Sequence, residues 1–176
     1  MDPSKLVFLD ETWAKTNMTR LRGRSLRGTR LVAKVPHGHW KTTTLIAALD
    51  HKALRGSTVV DGAVNQEVFE VFVAQVLVPV LSPGEVVVMD NLSSHKGPRV
   101  AQLIEAAGAT VLYLPPYSPD LNPIESAFSK VKQLIRSAEH RTQDKLWGGM
   151  QRVLDQITPS DSQGYFRHCG YTLHVK

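Results

Sequence analysis

The chain reads as an α/β protein, a mixed sheet flanked by helices, and three observations point there. Two short, wholly apolar runs, Leu6-Val7-Phe8-Leu9 and Val86-Val87-Val88-Met89, have the continuous character of strands buried on both faces. Each ends in an aspartate, Asp10 and Asp90. The second half then alternates strand signals with helical periodicity, which implies parallel pairing and helices packed on the sheet. The first half offers successive strand candidates separated by turn residues, the pattern of an antiparallel meander.

Taken in order, residues 5–10 form the first strand. A basic segment follows, with Gly23 and Gly28 as turns. Residues 30–35 and 42–49 are two further strand candidates joined by the turn Pro36-His37-Gly38-His39, and 54–60 is a weaker one. Asn65 caps a helix whose Phe69, Phe72, Val73, Val76, Leu77 and Val80 share one face, and Ser82-Pro83-Gly84 ends it. Residues 85–89 are the strongest strand. Pro98 opens a second helix, with Val100, Leu103, Ile104 and Ala107 inward and Gly108 as its stop. A strand over 110–114 runs into a proline-rich arm. Helices start at Pro123 and near Gln143, and the tail from Thr158 is irregular or briefly helical.

At 176 residues the chain is long enough for one domain with a real core, and its 42% hydrophobic content is that of an ordinary globular protein. No run approaches a membrane span. The single cysteine, Cys169, excludes an internal disulfide and a cysteine-based zinc site, and reads as an inert thiol. The net charge of +5 is concentrated. Between Thr12 and Leu49 there is no acidic residue, while Lys15, Arg20, Arg22, Arg24, Arg27, Arg30, Lys34 and Lys41 all fall there. Such a stretch reads as a phosphate-facing, nucleic-acid-binding surface.

The arm at residues 114–126, Leu-Pro-Pro-Tyr-Ser-Pro-Asp-Leu-Asn-Pro-Ile-Glu-Ser, is stiff and non-helical up to Leu121. Asn122 then suits an N-cap, Pro123 the first helical position and Glu125 the third; Ile124, Phe128, Val131 and Ile135 form one apolar stripe behind them. Glu125 is open to two readings. It completes a capping box with Asn122, or it is a carboxylate delivered to a site. Ligands of open α/β sheets sit beyond the carboxyl ends of the strands. If strands 5–10 and 85–90 are parallel neighbours, Asp10 and Asp90 lie side by side there, with Glu125 in reach. Three carboxylates so placed repel one another, and Mg²⁺ or Mn²⁺ resolves the conflict with oxygen ligands alone. Two such ions can activate an attacking oxygen and stabilise a leaving one at a phosphodiester.

Asp10-Glu11, the run from Asp90-Asn91 to His95, and the arm ending in Asn-Pro-Ile-Glu125 together resemble the three signatures of the DDE transposases of the IS630 group, within the IS630/Tc1/mariner superfamily. Thirty-four residues separate Asp90 from Glu125, which resembles the spacing of that group. Gly38-His39-Trp40-Lys41 and Phe128-Ser129-Lys130-Val131-Lys132 are also similar to its sequences. The resemblance implies a ribonuclease H-like fold, with a five-stranded sheet in which the first and fourth strands adjoin. It implies Asp10, Asp90 and Glu125 as metal ligands, with two Mg²⁺ or Mn²⁺ ions expected. It also implies hydrolysis at transposon ends and direct transesterification of the freed 3′-hydroxyl into double-stranded target DNA at a TA dinucleotide. A homodimer or larger assembly on DNA follows from joining two ends, in a cytoplasmic, bacterial protein found at the nucleoid when on DNA. Transposases of this group carry helix-turn-helix domains ahead of the catalytic domain. Residues 1–176 therefore read as a single catalytic domain without them. The rival readings are a ribonuclease H-like nuclease that cuts without joining, and a DNA-binding remnant without catalysis.

Around the acids, Asn91 and His95 are supporting candidates that position water or contact DNA; His95 equally suits a cap for the helix at Pro98. Asn122 is a third supporting residue. Lys130, Lys132 and Arg136 extend the basic track, His37 and His39 read as turn residues near DNA, and Trp13 and Trp40 as packing under the basic meander.

Overall fold

The computed structural model describes residues 2–92 and 95–173. Five strands, β1 (Leu6–Lys15), β2 (Thr42–Leu49), β3 (Leu54–Asp61), β4 (Val86–Met89) and β5 (Thr110–Tyr113), form one sheet in the order β3-β2-β1-β4-β5. The first three pair antiparallel, while β4 lies parallel to β1 and β5 parallel to β4. The first and fourth strands therefore adjoin, as the resemblance implies.

Helices cover both faces, which is why β4 and the part of β1 beside it, Leu6–Leu9, are apolar throughout. On one face Leu6, Phe8, Leu45, Ala47 and Val88 meet α3 (Pro123–Ala138), α4 (Gln143–Leu154) and α5 (Pro159–His168). On the other, Val7, Leu9, Ile46, Val87 and Met89 meet α1 (Gln66–Phe72), its continuation through Val80, and α2 (Pro98–Ala106). The α1 segment opens with the expected Asn65 cap, its side-chain oxygen accepting from the Val68 N–H at 2.9 Å. It then widens into a π-type turn at Val73–Leu77 and tightens at Val78–Val80, where Val80 leaves the buried face.

Two expectations need correction. The first strand does not stop at Asp10; it runs to Lys15, because residues 11–15 keep pairing with β2 as far as Thr42. The strand expected at residues 30–35 does not form. The segment between β1 and β2 has no regular structure after Thr16, and Leu31, Val32 and Val35 are exposed. The sheet closes as β3-β2-β1-β4-β5 without this segment. Its alternation with arginines leaves it too little apolar surface to bury. No helix is long and apolar enough to cross a membrane among the described residues.

Candidate active site

The register of the parallel pair sets the site. Leu9 is level with Met89, so Asp10 and Asp90 step off the end of that ladder together. The period of two turns Asp10 to the face of Leu6 and Phe8, the face that α3 covers. Strand β5 then feeds the proline arm, which crosses back over this edge and delivers the first turn of α3. Asp10, Asp90 and Glu125 consequently line one cleft of about 350 Å³, walled by Pro115, Pro116 and Pro119 of the arm. The same three acids border a second cleft, lined on its far side by Thr12, Trp13, Lys15, Thr42 and Thr44. They form the ridge where two grooves meet.

Each acid has a different environment. Asp10 is buried, with 5% of its surface exposed. Its Oδ1 accepts from the Glu11 N–H at 2.7 Å and its Oδ2 from the Asn122 amide at 2.8 Å. Burial, reinforced by the Asp90 and Glu125 carboxylates and opposed by the Glu11 N–H, pushes its pKa up to about 7. Asp90 is half-buried. Burial raises its pKa, but hydrogen bonds from His95 and the Leu92 N–H outweigh this and hold it below the usual carboxylate range. Glu125 is exposed and makes no side-chain hydrogen bond among the described residues. The capping box is therefore not formed. Asn122 precedes the helix but turns its side chain away from the helical N–H groups and towards Asp10, forgoing a cap that typically stabilises by about 1 kcal/mol.

His95 does not cap α2 either. Gly97 holds that position without a side-chain bond, and His95 is fully buried beside Asp90 with its ring stacked on Phe69. Asn91 lines the first cleft and is exposed.

The basic candidates separate into three kinds. Arg20, Arg22, Arg24, Arg27, Arg30 and Lys34 stand exposed on the segment between β1 and β2, in no ion pair among the described residues. Lys41 reaches Gln143 at the start of α4 at 3.1 Å. Lys130, expected on the basic track, is turned the other way: its ammonium donates to Asp161 at 2.7 Å and to the Gln156 carbonyl at 3.1 Å, tying α3 to α5. Its partner Asp161 completes a capping box with Thr158, and Lys130 first among its partners holds that carboxyl down to about 2. Lys132, by contrast, faces the acids. Burial lowers its pKa while Glu125 and Asp10 oppose the shift, and its ammonium lies 5.1 Å from the Trp13 ring.

Trp13 and Trp40 were expected to pack under the meander; each is 50% exposed. Lys15 sits over both, 4.8 Å from the Trp13 ring and 5.8 Å from that of Trp40. The signal for this cluster lay in the alternation of Thr12, Trp13 and Ala14, which a strand longer than six residues would have turned outward at Trp13. Tyr117, at the tip of the arm with φ of 54°, is also fully exposed.

The donor chemistry suits a hard divalent cation: three carboxylates, no sulfur, and a buried acid whose charge is opposed by two neighbours. Among the described residues no three acids, histidines or cysteines close around a single point. The acids share the cleft edge without forming a finished cage.

A family model for the DDE superfamily endonucleases matches residues 5–147. The chain belongs to that family. Asp10, Asp90 and Glu125 lie inside the matched region, and α5 lies beyond it. No curated protein matches the sequence. Among solved structures, the Mos1 transposase paired-end complex with left transposon end aligns over 94% of this chain and 52% of its own, at 17% identity and a TM-score of 0.75. The Mos1 strand transfer complex aligns over 95% and 51%, at 20% identity and 0.72. The isolated catalytic domain of Mos1 mariner transposase aligns over 96% and 76%, at 17% identity and 0.59. The shared fold is the ribonuclease H-like one. The chain spans about half the length of the transposases in the two complexes.

Proposed function

We propose that this chain is the catalytic part of an IS630-group transposase, cutting DNA at transposon ends and joining the freed 3′-hydroxyl to target DNA. The observation that carries this reading is the convergence of Asp10, Asp90 and Glu125, from three separate elements, on the ridge between two grooves. Membership of the DDE family supports it, as does the likeness in fold to Mos1, whose structures include paired-end complexes with Mg and with Mn.

In this reading Asp10, Asp90 and Glu125 would hold two Mg²⁺ or Mn²⁺ ions. Bound there, such ions supply Lewis-acid activation of an attacking oxygen and stabilisation of a leaving one. The chain's own residues do the rest. Asp10 and Asp90 present carboxylates from a rigid sheet edge, so little reorganisation is needed when a phosphodiester arrives. Glu125, exposed on the first turn of α3, is free to turn inward. Lys15 and Lys132 attract the phosphate backbone into the second groove, and the arginine-rich segment extends that attraction well beyond it. The proline arm, stiff by composition, keeps the first groove open. Double-stranded DNA is the partner, and joining two ends requires a dimer or larger assembly on it.

The test uses a short duplex with a free 3′-hydroxyl, a supercoiled plasmid and Mn²⁺. Covalent joining of the duplex to the plasmid, enriched at TA steps and lost in Glu125→Gln, is the expected result. Plasmid nicking without joining would instead identify a nuclease that only cuts. Binding to plasmid with neither product would identify a remnant without catalysis.

A further inference from the structure

Each of the two aspartates is held by one buried side chain from a different part of the fold. Asp90 Oδ1 lies 2.6 Å from His95 Nδ1. Because a carboxylate only accepts, Nδ1 carries the hydrogen. The imidazole is fixed in turn: its ring stacks on Phe69, with centroids 4.2 Å apart, and its backbone carbonyl accepts from the Tyr113 hydroxyl at 3.3 Å. Asp10 Oδ2 lies 2.8 Å from Asn122 Nδ2. The Asn122 backbone sits between the turn Pro119–Leu121 and Pro123, and the neighbouring Leu121 carbonyl accepts from Tyr171 of the C-terminal segment at 2.8 Å.

The two contacts have the same form. His95 and Asn122 are 0% and 4% exposed, and in each the second polar atom, His95 Nε2 and Asn122 Oδ1, is buried without a partner among the described residues. Buried polar atoms are normally satisfied, and within the described residues these two side chains leave one atom unpaired while keeping the bond to an aspartate. Neither does the local work its position offers, since neither caps the helix that follows it.

We propose that His95 and Asn122 are a matched pair of positioning residues, His95 orienting Asp90 and Asn122 orienting Asp10 for the reaction. The proposal rests on the endonuclease reading above. Partners that orient ligating carboxylates commonly change metal affinity or rate about 10–100-fold when removed.

The test compares His95→Ala, Asn122→Ala, His95→Asn and Asn122→Asp in the full chain. His95→Asn retains a donor near the Nδ1 position; Asn122→Asp retains the shape and loses the donor. Three quantities are read: Mn²⁺ affinity by calorimetry without DNA, duplex affinity, and the Mn²⁺-dependent cleavage rate. His95→Ala and Asn122→Ala are expected to lose about 10–100-fold in Mn²⁺ affinity and in rate, with duplex affinity unchanged. His95→Asn should recover most of the loss and Asn122→Asp should not. Nitrogen spectra of histidine-labelled protein should show the His95 proton on Nδ1. Wild-type Mn²⁺ affinity and rate in both alanine variants overturns the proposal. So does a His95→Asn as defective as His95→Ala with a melting temperature lowered to match, because that pattern belongs to a packing role. Asp10→Ala and Asp90→Ala run alongside: if they keep cleaving, the endonuclease reading itself fails; if they are inactive while the alanine variants are normal, the positioning role alone fails.

Discussion

The edge of the sheet that carries the acids and the basic segment that precedes β2 are opposites in construction. At the edge, Asp10 is buried, both of its oxygens are bonded, and its neighbours come from β1, the proline arm and α3. In the segment between Thr16 and Lys41 nearly every side chain is exposed, including Leu21, Leu26 and Val32. The difference teaches where each task can be carried. Chemistry at a phosphodiester needs carboxylates fixed in place, so it belongs on strands whose register is set by a core. Holding a charged polymer of variable sequence needs only positive charge in reach, and a segment without a core supplies it.

The sharpest way to break this comparison is at the acids. Asp10→Ala, Asp90→Ala and Glu125→Ala should each reduce Mn²⁺-dependent cleavage to background while duplex affinity and the circular dichroism spectrum stay as in the wild type. A variant that unfolds, or one that still cuts, would show that the acid in question is a structural cap.

The basic segment should behave the other way. Replacing Arg20, Arg22, Arg24 and Arg27 together by alanine should weaken duplex binding and flatten its salt dependence, by about 3–4 in the slope of log K against log salt if all four touch phosphate. Melting temperature should barely move, since exposed substitutions usually change stability by less than about 0.5 kcal/mol. An unchanged slope would mean that the DNA track runs elsewhere.

A third effect separates the regions by pH. The Asp10 pKa is raised from 3.8 to about 7, first by burial. A carboxyl whose folded value lies above its unfolded one gives stability that is complete below the unfolded value and lost as pH rises through the folded one. In chelator-treated protein, stability should therefore decline between about pH 4 and pH 7, by an amount on the order of a few kcal/mol. Asp10→Asn should remove that decline, melting several degrees above wild type at pH 8 and close to it at pH 4. Parallel melting curves for the two proteins at both pH values would contradict the burial argument.

The smallest effect expected is at Lys130. Lys130→Ala should lower stability by less than about 1 kcal/mol, because its pair with Asp161 is partly exposed, and should leave duplex affinity alone. Weakened DNA binding would return Lys130 to the basic track.

Much of the fold is legible in the sequence because the strongest signals are also the ones the core uses. The two uninterrupted apolar runs mark β1 and β4, and the Ile124, Phe128, Val131, Ile135 stripe marks α3. Residues 30–35 mislead because strand propensity is local, whereas a strand forms only where its side chains find neighbours and a face to bury against. The residues around the acids are legible as chemistry and not as contacts. Asp10 and Asp90 stand out by ending apolar runs. That Asn122 reaches back 112 positions to Asp10 instead of capping its own helix cannot be read from its neighbours in the chain, since Asn before Pro is an ordinary helix start. Lys130 and Lys132 differ by two positions, and the turn of α3 alone sends one towards α5 and the other towards the acids.

The central claim is that Asp10, Asp90 and Glu125 serve one divalent-cation site. Calorimetric titration of Mn²⁺ into the chain with a short duplex present, repeated on Asp10→Ala, Asp90→Ala and Glu125→Ala, tests it directly. Binding to the wild type that falls in all three variants is the predicted result. Binding of equal strength in all four proteins would contradict it and leave the three carboxylates as two strand-end acids and an exposed helix-start acid.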